Sequence, residues 1–326
     1  MTRKTISDSV RLFHQKNTEK IGLRVYFFQS FPPAVRSLWR RSTLRSLAAT
    51  LYLLPFLSTI VTLWSMSRPA AGSVTLLHIT DCHLFGGEHA RLRSGVQPYF
   101  SLRSVIKYAK LLSPSPSAVV LTGDFSQDSS AESYHHVGKL CREAFTQTPL
   151  LYTPGNHEDL ATLNEVLAAY DCQGSNGHGA PHQVMLGNWQ VFLLSTHVPG
   201  KIYGGVANSD LRWLQQHLTS GSAPAVVALH HPPIPPNPRT EDNLWTENCL
   251  QDSEAFLNAI RSERVKLVLH GHLHADSMQK IPSTHCTQLG TPSTCHQYDP
   301  TTGWGSGAVP NLGPGFRILS LHDDGS

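Results

Sequence analysis

Apolar positions along residues 74–321 recur with two periods, one typical of strands and one typical of helices. Short runs of aliphatic and β-branched residues, such as "AVVLT" at 118–122, predict strands that are buried on both faces of a sheet. In residues 158–170, Leu160, Leu163 and Leu167 share one stripe, and this spacing predicts an amphipathic helix. Residues 182–196 predict a hairpin that turns at Gly187-Asn188.

Strands and helices alternate along this part of the chain, which is typical of the α/β class. The predicted strands are 74–79, 118–122, 149–153, 225–229, 265–269, 287–289 and 316–321, and the predicted helices are 98–112, 130–145, 158–170, 209–218 and 253–260. Two loops rich in proline or glycine, 231–239 and 301–315, are expected to border a cleft.

Polar clusters follow five of the predicted strands directly. They are "DCH" at 81–83, "GDFSQD" at 123–128, "PGNHED" at 154–159, "HHPP" at 230–233 and "HGHLHAD" at 270–276. Each cluster alone is compatible with a helix cap, a turn or a solvated loop. In open α/β sheets, however, ligands bind beyond the carboxyl ends of the strands, so the five clusters are expected to meet at one site.

The residue types in these clusters indicate a metal site. Aspartate, asparagine and histidine without a thiolate suit manganese, iron, zinc and similar divalent ions. Seven or more ligands are too many for one ion, whereas a carboxylate shared between two ions accounts for the number. Two ions about 3.5–4 Å apart clamp the attacking and leaving oxygens of a phosphoryl group, and they lower the pKa of bound water so that hydroxide is the nucleophile.

The ordered set D-x-H, G-D, G-N-H-E, H-H-P and G-H-x-H resembles the calcineurin-like metallophosphoesterase superfamily. The segments "ITDCHLF", "LTGDFSQDSSAESYHH", "PGNHE" and "TPSTC" are most similar to the bacterial class III 3′,5′-cyclic-AMP phosphodiesterases. The similarity extends from about residue 74 to residue 323 and leaves residues 1–65 outside. It implies an α/β fold, a two-sheet sandwich with helices on both outer faces.

The resemblance also implies a reaction, the hydrolysis of 3′,5′-cyclic AMP to 5′-AMP by a hydroxide that bridges two metal ions. The alternatives are another phosphodiester or a monoester as substrate, such as a 2′,3′-cyclic nucleotide or a glycerophosphodiester, and a non-catalytic scaffold of the same fold. Iron and manganese are the first expectation for the metals, with zinc, magnesium or cobalt as alternatives. The expected partner is a small cyclic nucleotide.

Carried over residue by residue, the resemblance implies a ligand set. The first ion would take Asp81, His83, Asp124 and His274, and the second would take Asp124, Asn156, His230 and His272. Asp124 is the expected bridge and takes part in catalysis. Asn156 and His157 would bind the substrate, and His157 would also protonate the leaving oxygen.

Several neighbouring residues are not expected to bind metal. Glu158 stands where aspartate is more usual, and Cys82 fills the middle of D-x-H. A structural or solvent-facing position is expected for the remaining histidines near the clusters, which are His78, His135, His136, His231 and His270. Asp276 is expected in a turn or behind a ligand, while Thr291 and Ser293 either border the nucleotide or form a turn.

Charge and cysteine content narrow the choice of partner and compartment. Residues 1–46 hold ten Lys or Arg and two Asp or Glu, whereas the remainder holds 16 basic and 21 acidic residues. The mildly acidic remainder has no basic stripe, so a nucleic-acid polymer is not expected as a partner. Six cysteines without a CxxC pair are expected to be free thiols in a reducing compartment, with Cys286 and Cys295 as the one candidate bridge.

The N-terminal part of the chain divides into a basic segment, 1–46, and an uncharged hydrophobic segment, 47–66. No periodicity in residues 1–65 predicts a strand or a helix that would join the main domain, so 1–46 is expected to be disordered or not translated. The hydrophobic segment is either a membrane anchor or upstream sequence before a start at Met66. Residues 67–326 form the predicted catalytic domain. The expected location is cytoplasmic, with an inner-membrane anchor through 47–66 as the alternative, and a homodimer is compatible with the sequence.

Overall fold

The computed structural model describes residues 11–14, 22–29, 73–111, 115–236, 246–299, 307–310 and 312–323. The strands are β1 Arg11–His14, β2 Gly22–Gln29, β3 Val74–Ile79, β4 Ala118–Thr122, β5 Leu150–Thr153, β6 Cys172–Gly174, β7 His182–Leu186, β8 Trp189–Leu193, β9 Ala225–Ala228, β10 Val265–His270, β11 Ser277–Lys280, β12 Thr287–Gly290 and β13 Gly315–Leu321. The helices are α1 Pro98–Ala109, α2 Ala131–Ala144, α3 Leu160–Ala168, α4 Asn208–Ser220 and α5 Ser253–Ala259, with a 3₁₀ turn at Thr246–Asn248.

These strands form two sheets of mixed direction. The first has the order β1-β2-β13-β3-β4-β5-β6, and its four strands β3 to β6 are parallel. The second has the order β11-β12-β10-β9-β8-β7, with a parallel centre and antiparallel strands at both edges. The carboxyl ends of the parallel strands in each sheet therefore lie along one edge, from which the polar clusters emerge.

Alternation along the strands builds three apolar layers. In β4, Val119 and Leu121 pack against α1, α2 and α3, whereas Val120 packs between the sheets. In β9, Val226 faces the first sheet and Val227 faces α4 and α5. The order of layers is thus helix, sheet, sheet, helix, and the predicted two-sheet fold with helices on both outer faces is confirmed.

Capping decides where helices begin. The Ser130 side chain accepts a hydrogen bond from Ser133 N at the start of α2, and Asp159 accepts one from Thr162 N (3.0 Å) at the start of α3. The predicted helix 158–170 therefore begins at Leu160, because Asp159 caps it from outside. α1 also ends earlier than predicted, at Ala109.

The N-terminal part of the chain contributes two strands to the first sheet that were not predicted from the sequence, β1 and β2. β2 pairs antiparallel with β13, with Gly315 opposite Phe27, and β1 pairs with β2. The expectation of no strand in residues 1–65 is thus wrong for these two segments. The physical reason is that the edge of β13 presents backbone N–H and C=O groups that another strand can satisfy.

The hydrophobic segment 47–66 lies outside the described residues, and the limits 1–46, 47–66 and 67–326 stay a prediction. Within the described ranges, no helix combines the length and the apolar character needed to cross a membrane. The two loops expected to border a cleft, 231–239 and 301–315, are described only in part.

Candidate metal centre

The loops that follow β3, β4, β5, β9 and β10 meet at one edge of the two sheets. Asp81 N donates to Gly123 O (3.0 Å), and Gly271 N donates to His230 O (3.1 Å). Between the sheets, His272 N donates to the Asp81 carboxylate (3.0 and 3.1 Å). These bonds bring together the side chains of all seven expected ligands, which are Asp81, His83, Asp124, Asn156, His230, His272 and His274.

The first expected ligand set is compact and buried. His274 Nε2 lies 3.4 Å from Asp81 Oδ1 and 3.0 Å from His83 Nε2. His83 Nε2 lies 3.6 Å from Asp124 Oδ2. Each of these four residues exposes 5% or less of its surface, so their polar atoms face one another rather than solvent.

The second set shares Asp124 with the first. His230 Nε2 lies 3.3 Å from Asp124 Oδ2, 3.2 Å from Asn156 Oδ1 and 3.2 Å from His272 Nδ1. One carboxylate oxygen of Asp124 thus faces an imidazole nitrogen from each set.

Hydrogen bonds behind the cluster determine which ring nitrogens face inward. His230 Nδ1 donates to Thr122 O (2.6 Å), and His274 Nδ1 donates to His296 O (3.0 Å). Since a carbonyl oxygen only accepts, Nδ1 carries the proton, and in the neutral ring Nε2 presents a lone pair to the cluster. His83 Nδ1 is buried without a hydrogen-bond partner among the described residues. Imidazole lone pairs beside two carboxylates and an amide oxygen are donors that fit divalent metal ions.

The backbone of the cluster is strained. Five of the seven residues are non-glycine residues with a left-handed conformation, namely Asp81 (φ 52°), His83 (48°), Asp124 (51°), His272 (67°) and His274 (48°). Such conformations cost ~1–3 kcal/mol each and concentrate at functional sites. The surrounding packing offsets this cost. The left-handed conformations direct side chains from separate loops toward one point.

Electrostatics keep the two carboxylates ionised. Burial opposes ionisation of Asp124, but the imidazoles of His230 and His157 outweigh it and hold its pKa well below the usual range. For Asp81, burial is likewise outweighed, chiefly by His274, and the pKa is lowered. Conversely, burial would lower the pKa of His230, but the Asp124 carboxylate raises it to about 9. Buried anions therefore require positive charge beside them, from protonated imidazoles or from metal ions.

Hydrogen bonds with three surrounding residues fix the backbone of the loop 154–159. His157 N donates to Asp124 Oδ1 (3.1 Å), and His157 O accepts from Ser129 Oγ (2.7 Å). The imidazole of His197 donates from Nδ1 to Gly155 O (2.8 Å). His197 was not predicted, because it stands in no polar cluster and only the packing of the second sheet brings it here. The ring of His157 is half-buried and meets the His83 ring edge-on, with centroids 4.8 Å apart.

Glu158 contacts backbone amides rather than the imidazoles. Its carboxylate accepts hydrogen bonds from Phe125 N (2.7 Å), Asp124 N (3.1 Å) and Gly155 N. Burial and the Asp124 carboxylate raise the pKa of Glu158 to about 8, against the opposing effect of His230 and the amides. Its carboxylate oxygens are thus directed at the loops and not at the expected metal positions.

The histidines expected to be structural have partners away from the cluster. His231, beside His230, bonds Thr196 Oγ1 through Nδ1 (2.8 Å) and Ile202 O through Nε2 (3.2 Å). His78 bonds Thr122 Oγ1 (2.7 Å) and Thr291 Oγ1 (2.6 Å) between the sheets. The three others also bond outside the cluster: His270 to Gly271 O, His135 to Tyr170 Oη and His136 to Gly86 O.

Thr291 and Ser293 are buried, at 1% and 0% exposure, and Thr291 Oγ1 bonds His78 Nδ1 (2.6 Å). That they border the nucleotide or form a turn stays a prediction. Ser293 Oγ donates to Asp81 O (2.8 Å). Asp276 accepts from the buried Arg317 (2.5 Å).

Cys82, Cys141, Cys172, Cys286 and Cys295 are free thiols, as expected, so the candidate bridge between Cys286 and Cys295 is not formed. Cys295 was not predicted near the site, yet its Sγ lies 4.0 Å from His274 Nδ1, on the side of that ring away from Asp81. Burial opposes ionisation of this thiol, but His274 and His296 outweigh burial and hold its pKa well below the usual value.

Comparison with known proteins identifies related sequences. The family model of calcineurin-like phosphoesterases matches residues 74–276, which contain all five polar clusters. A 3′,5′-cyclic-nucleotide phosphodiesterase of Nostoc sp. is 32% identical and covers 78% of this chain and 90% of its own length.

Two further relatives are named 3′,5′-cyclic adenosine monophosphate phosphodiesterases. That of Pseudomonas aeruginosa is 30% identical over 78% of this chain and 87% of its own length. That of Escherichia coli K12 is 29% identical over 80% of this chain and 90% of its own length. The similarity thus spans nearly the full length of each relative.

Proposed function

The chain belongs to the calcineurin-like phosphoesterase family, a family of metal-dependent hydrolases, and we propose that it hydrolyses 3′,5′-cyclic AMP to 5′-AMP. The observation that carries this proposal is the meeting of two imidazole-rich sets at one oxygen of Asp124. The choice of cyclic AMP among phosphate esters is supported by the names of the relatives that match this chain at about 30% identity.

The assignment of ligands follows the two sets described above. Asp81, His83, Asp124 and His274 would hold one divalent ion, and Asp124, Asn156, His230 and His272 would hold the other. When bound, the ions supply a hydroxide nucleophile at neutral pH and withdraw charge from the phosphoryl oxygens. Iron and manganese remain our first expectation for the metals, with zinc, magnesium or cobalt as the alternatives. Nitrogen and oxygen donors without a thiolate are compatible with divalent ions of this kind.

The other residues position the substrate and move a proton. Asn156 and His157 lie side by side on the loop 154–159, which Asp124 and Ser129 fasten through the backbone of His157. The half-buried imidazole of His157 is accessible to a phosphoryl group at the cluster. We assign it to contact that group and to donate a ring-nitrogen proton to the 3′ oxygen as it leaves.

Turnover of a panel of phosphate esters tests the proposal. Purified protein loaded with Mn²⁺ should hydrolyse 3′,5′-cyclic AMP faster than 2′,3′-cyclic AMP, glycerophosphocholine and p-nitrophenyl phosphate. The Asp124→Ala variant should be inactive on every ester, which assigns the activity to this centre. If cyclic AMP were the poorest substrate, the substrate assignment would fail. A folded protein that binds less than one ion per chain would instead be a non-catalytic scaffold.

The domain limits and the location are also proposals. We assign catalysis to residues 67–326 and a cytoplasmic location, where cyclic AMP is available; anchoring to the inner membrane through 47–66 is the alternative. Mass spectrometry of the native protein tests this. A peptide from residues 20–45 would exclude a start at Met66.

A further inference from the structure

Glu158 is a buried carboxylate that the proposed reaction leaves without a role. It is 6% exposed and follows Asn156 and His157 in the loop 154–159. Oε1 accepts from the amides of Phe125 (2.7 Å) and Ser126 (3.5 Å). Oε2 accepts from the amides of Asp124 (3.1 Å) and Gly155. Both oxygens are therefore occupied by backbone donors.

These contacts join the two loops that carry the bridging residue and Asn156. The Glu158 carboxylate accepts a hydrogen bond from Asp124 N (3.1 Å). In turn, the Asp124 carboxylate accepts one from the N–H of His157, the residue before Glu158 (3.1 Å). The bonds are reciprocal, so neither loop can shift without breaking contacts on both sides. They also hold Asp124 in its left-handed conformation, at φ 51°.

On the basis of the metal centre proposed above, we infer that Glu158 is a positioning residue, which sets the position of Asp124 relative to Asn156. It would thereby set the spacing of the two ions that Asp124 bridges. The loops have little slack at this point, because a Cβ on Gly155 would overlap the Asp124 side chain. A change in the reach or the accepting oxygens of residue 158 would consequently move the carboxylate of Asp124, the proposed bridge.

Two substitutions separate the accepting oxygens of residue 158 from the reach of its side chain. In Glu158→Gln, one carboxylate oxygen becomes an NH₂ group. This group only donates, so it cannot accept the hydrogen bonds of the backbone amides at that position. In Glu158→Asp, both oxygens remain, but the carboxylate is withdrawn by about 1.5 Å, one C–C bond. Glu165→Gln, an exposed carboxylate on α3, is the matched control.

The experiment measures Mn²⁺ binding to apoprotein by calorimetry and the magnetic coupling of the bound pair by electron paramagnetic resonance. Partners behind a metal ligand are worth about 10–100-fold in metal affinity. We expect Glu158→Gln to weaken binding of at least one Mn²⁺ in that range and to reduce the coupled signal. Glu158→Asp should fall between Glu158→Gln and wild type, and Glu165→Gln should match wild type.

Wild-type affinity and coupling in folded Glu158→Gln would overturn the inference while leaving the proposed function intact. If both Glu158 variants failed to fold, Glu158 would belong to the fold as a whole and the inference would also fall. Failure of the wild-type protein to bind two Mn²⁺ would count against the proposed function itself. Circular dichroism of each apoprotein separates these cases.

Discussion

Gly123 precedes Asp124, the proposed bridging residue, and lies where two loops of the candidate centre touch. Gly123→Ala therefore perturbs the centre without changing any proposed ligand. Gly123 has φ +83°, and an added Cβ would lie 2.5 Å from Gly155 N, 2.7 Å from Gly155 Cα and 2.8 Å from His230 Nδ1. To reach an ordinary contact distance of 3.4 Å, these atoms must shift by about 0.6–0.9 Å. Such a displacement moves the loops that carry Asn156 and His230.

Gly95 offers a matched control for the cost of placing alanine in a left-handed backbone conformation. It has the same φ of +83°, and a Cβ there would meet nothing within 4 Å in the described part of the chain. Alanine in the left-handed region costs ~1–2 kcal/mol, which is the whole loss of unfolding free energy expected for Gly95→Ala. For Gly123→Ala, overpacking adds ~1–3 kcal/mol.

Urea unfolding, metal analysis and steady-state turnover of cyclic AMP measure the two variants. A misplacement of catalytic groups by ~1 Å costs about 100-fold in rate. The turnover rate of Gly123→Ala should therefore fall about 100-fold, and the variant should bind less metal than wild type. Gly95→Ala should keep wild-type turnover. Equal losses of stability in the two variants, together with normal turnover of Gly123→Ala, would refute the close approach of the loops as the reason for glycine at 123.

Three further predictions follow from the described contacts. Removal of metal by a chelator should abolish turnover and lower the Tm. An ion that binds only the folded state stabilises it by ~2.7 kcal/mol when the free ion concentration is 100 times Kd. Added Mn²⁺ should restore both turnover and Tm, and an unchanged Tm after chelation would contradict this prediction. His231→Ala should lower the unfolding free energy by ~1–3 kcal/mol, since Ile202 O and the Thr196 hydroxyl both lose their bond to the imidazole. Metal content should stay at the wild-type level, and loss of metal would make His231 a ligand. Arg317→Met should lower the unfolding free energy in urea by ~1–3 kcal/mol, because the Asp276 carboxylate and Gly290 O lose their guanidinium donor. A loss below ~0.5 kcal/mol would show that water replaces these bonds.

Strands with continuous apolar runs were predicted well from the sequence. β3 and β4 have the predicted limits, 74–79 and 118–122, because both faces are buried and aliphatic residues dominate both runs. β6, Cys172–Gly174, and β11, Ser277–Lys280, were not predicted, because each is short and partly exposed, and neither has a two-residue apolar period. Their strand conformation depends on pairing with β5 and β12.

The residues of the candidate site were also predictable as a set, although their roles are still proposals. Type, order and position after each strand placed Asp81, Asp124 and His230 at one sheet edge before any coordinates. His197 and Glu158 were not given their roles, because their partners are amides and carbonyls. A backbone group has no signature in the sequence that would indicate which side chain it bonds.

By itself, the sequence thus determined the α/β class, the polar clusters that follow five strands and the donor chemistry, because apolar period and residue type are local properties. Only the tertiary structure decided the distances, such as the 3.0 Å between imidazoles of His83 and His274, which are 191 residues apart. It also decided the left-handed conformations of Asp81 and Asp124. Distances of this kind depend on how two sheets pack across a shared core, and no local pattern specifies that packing.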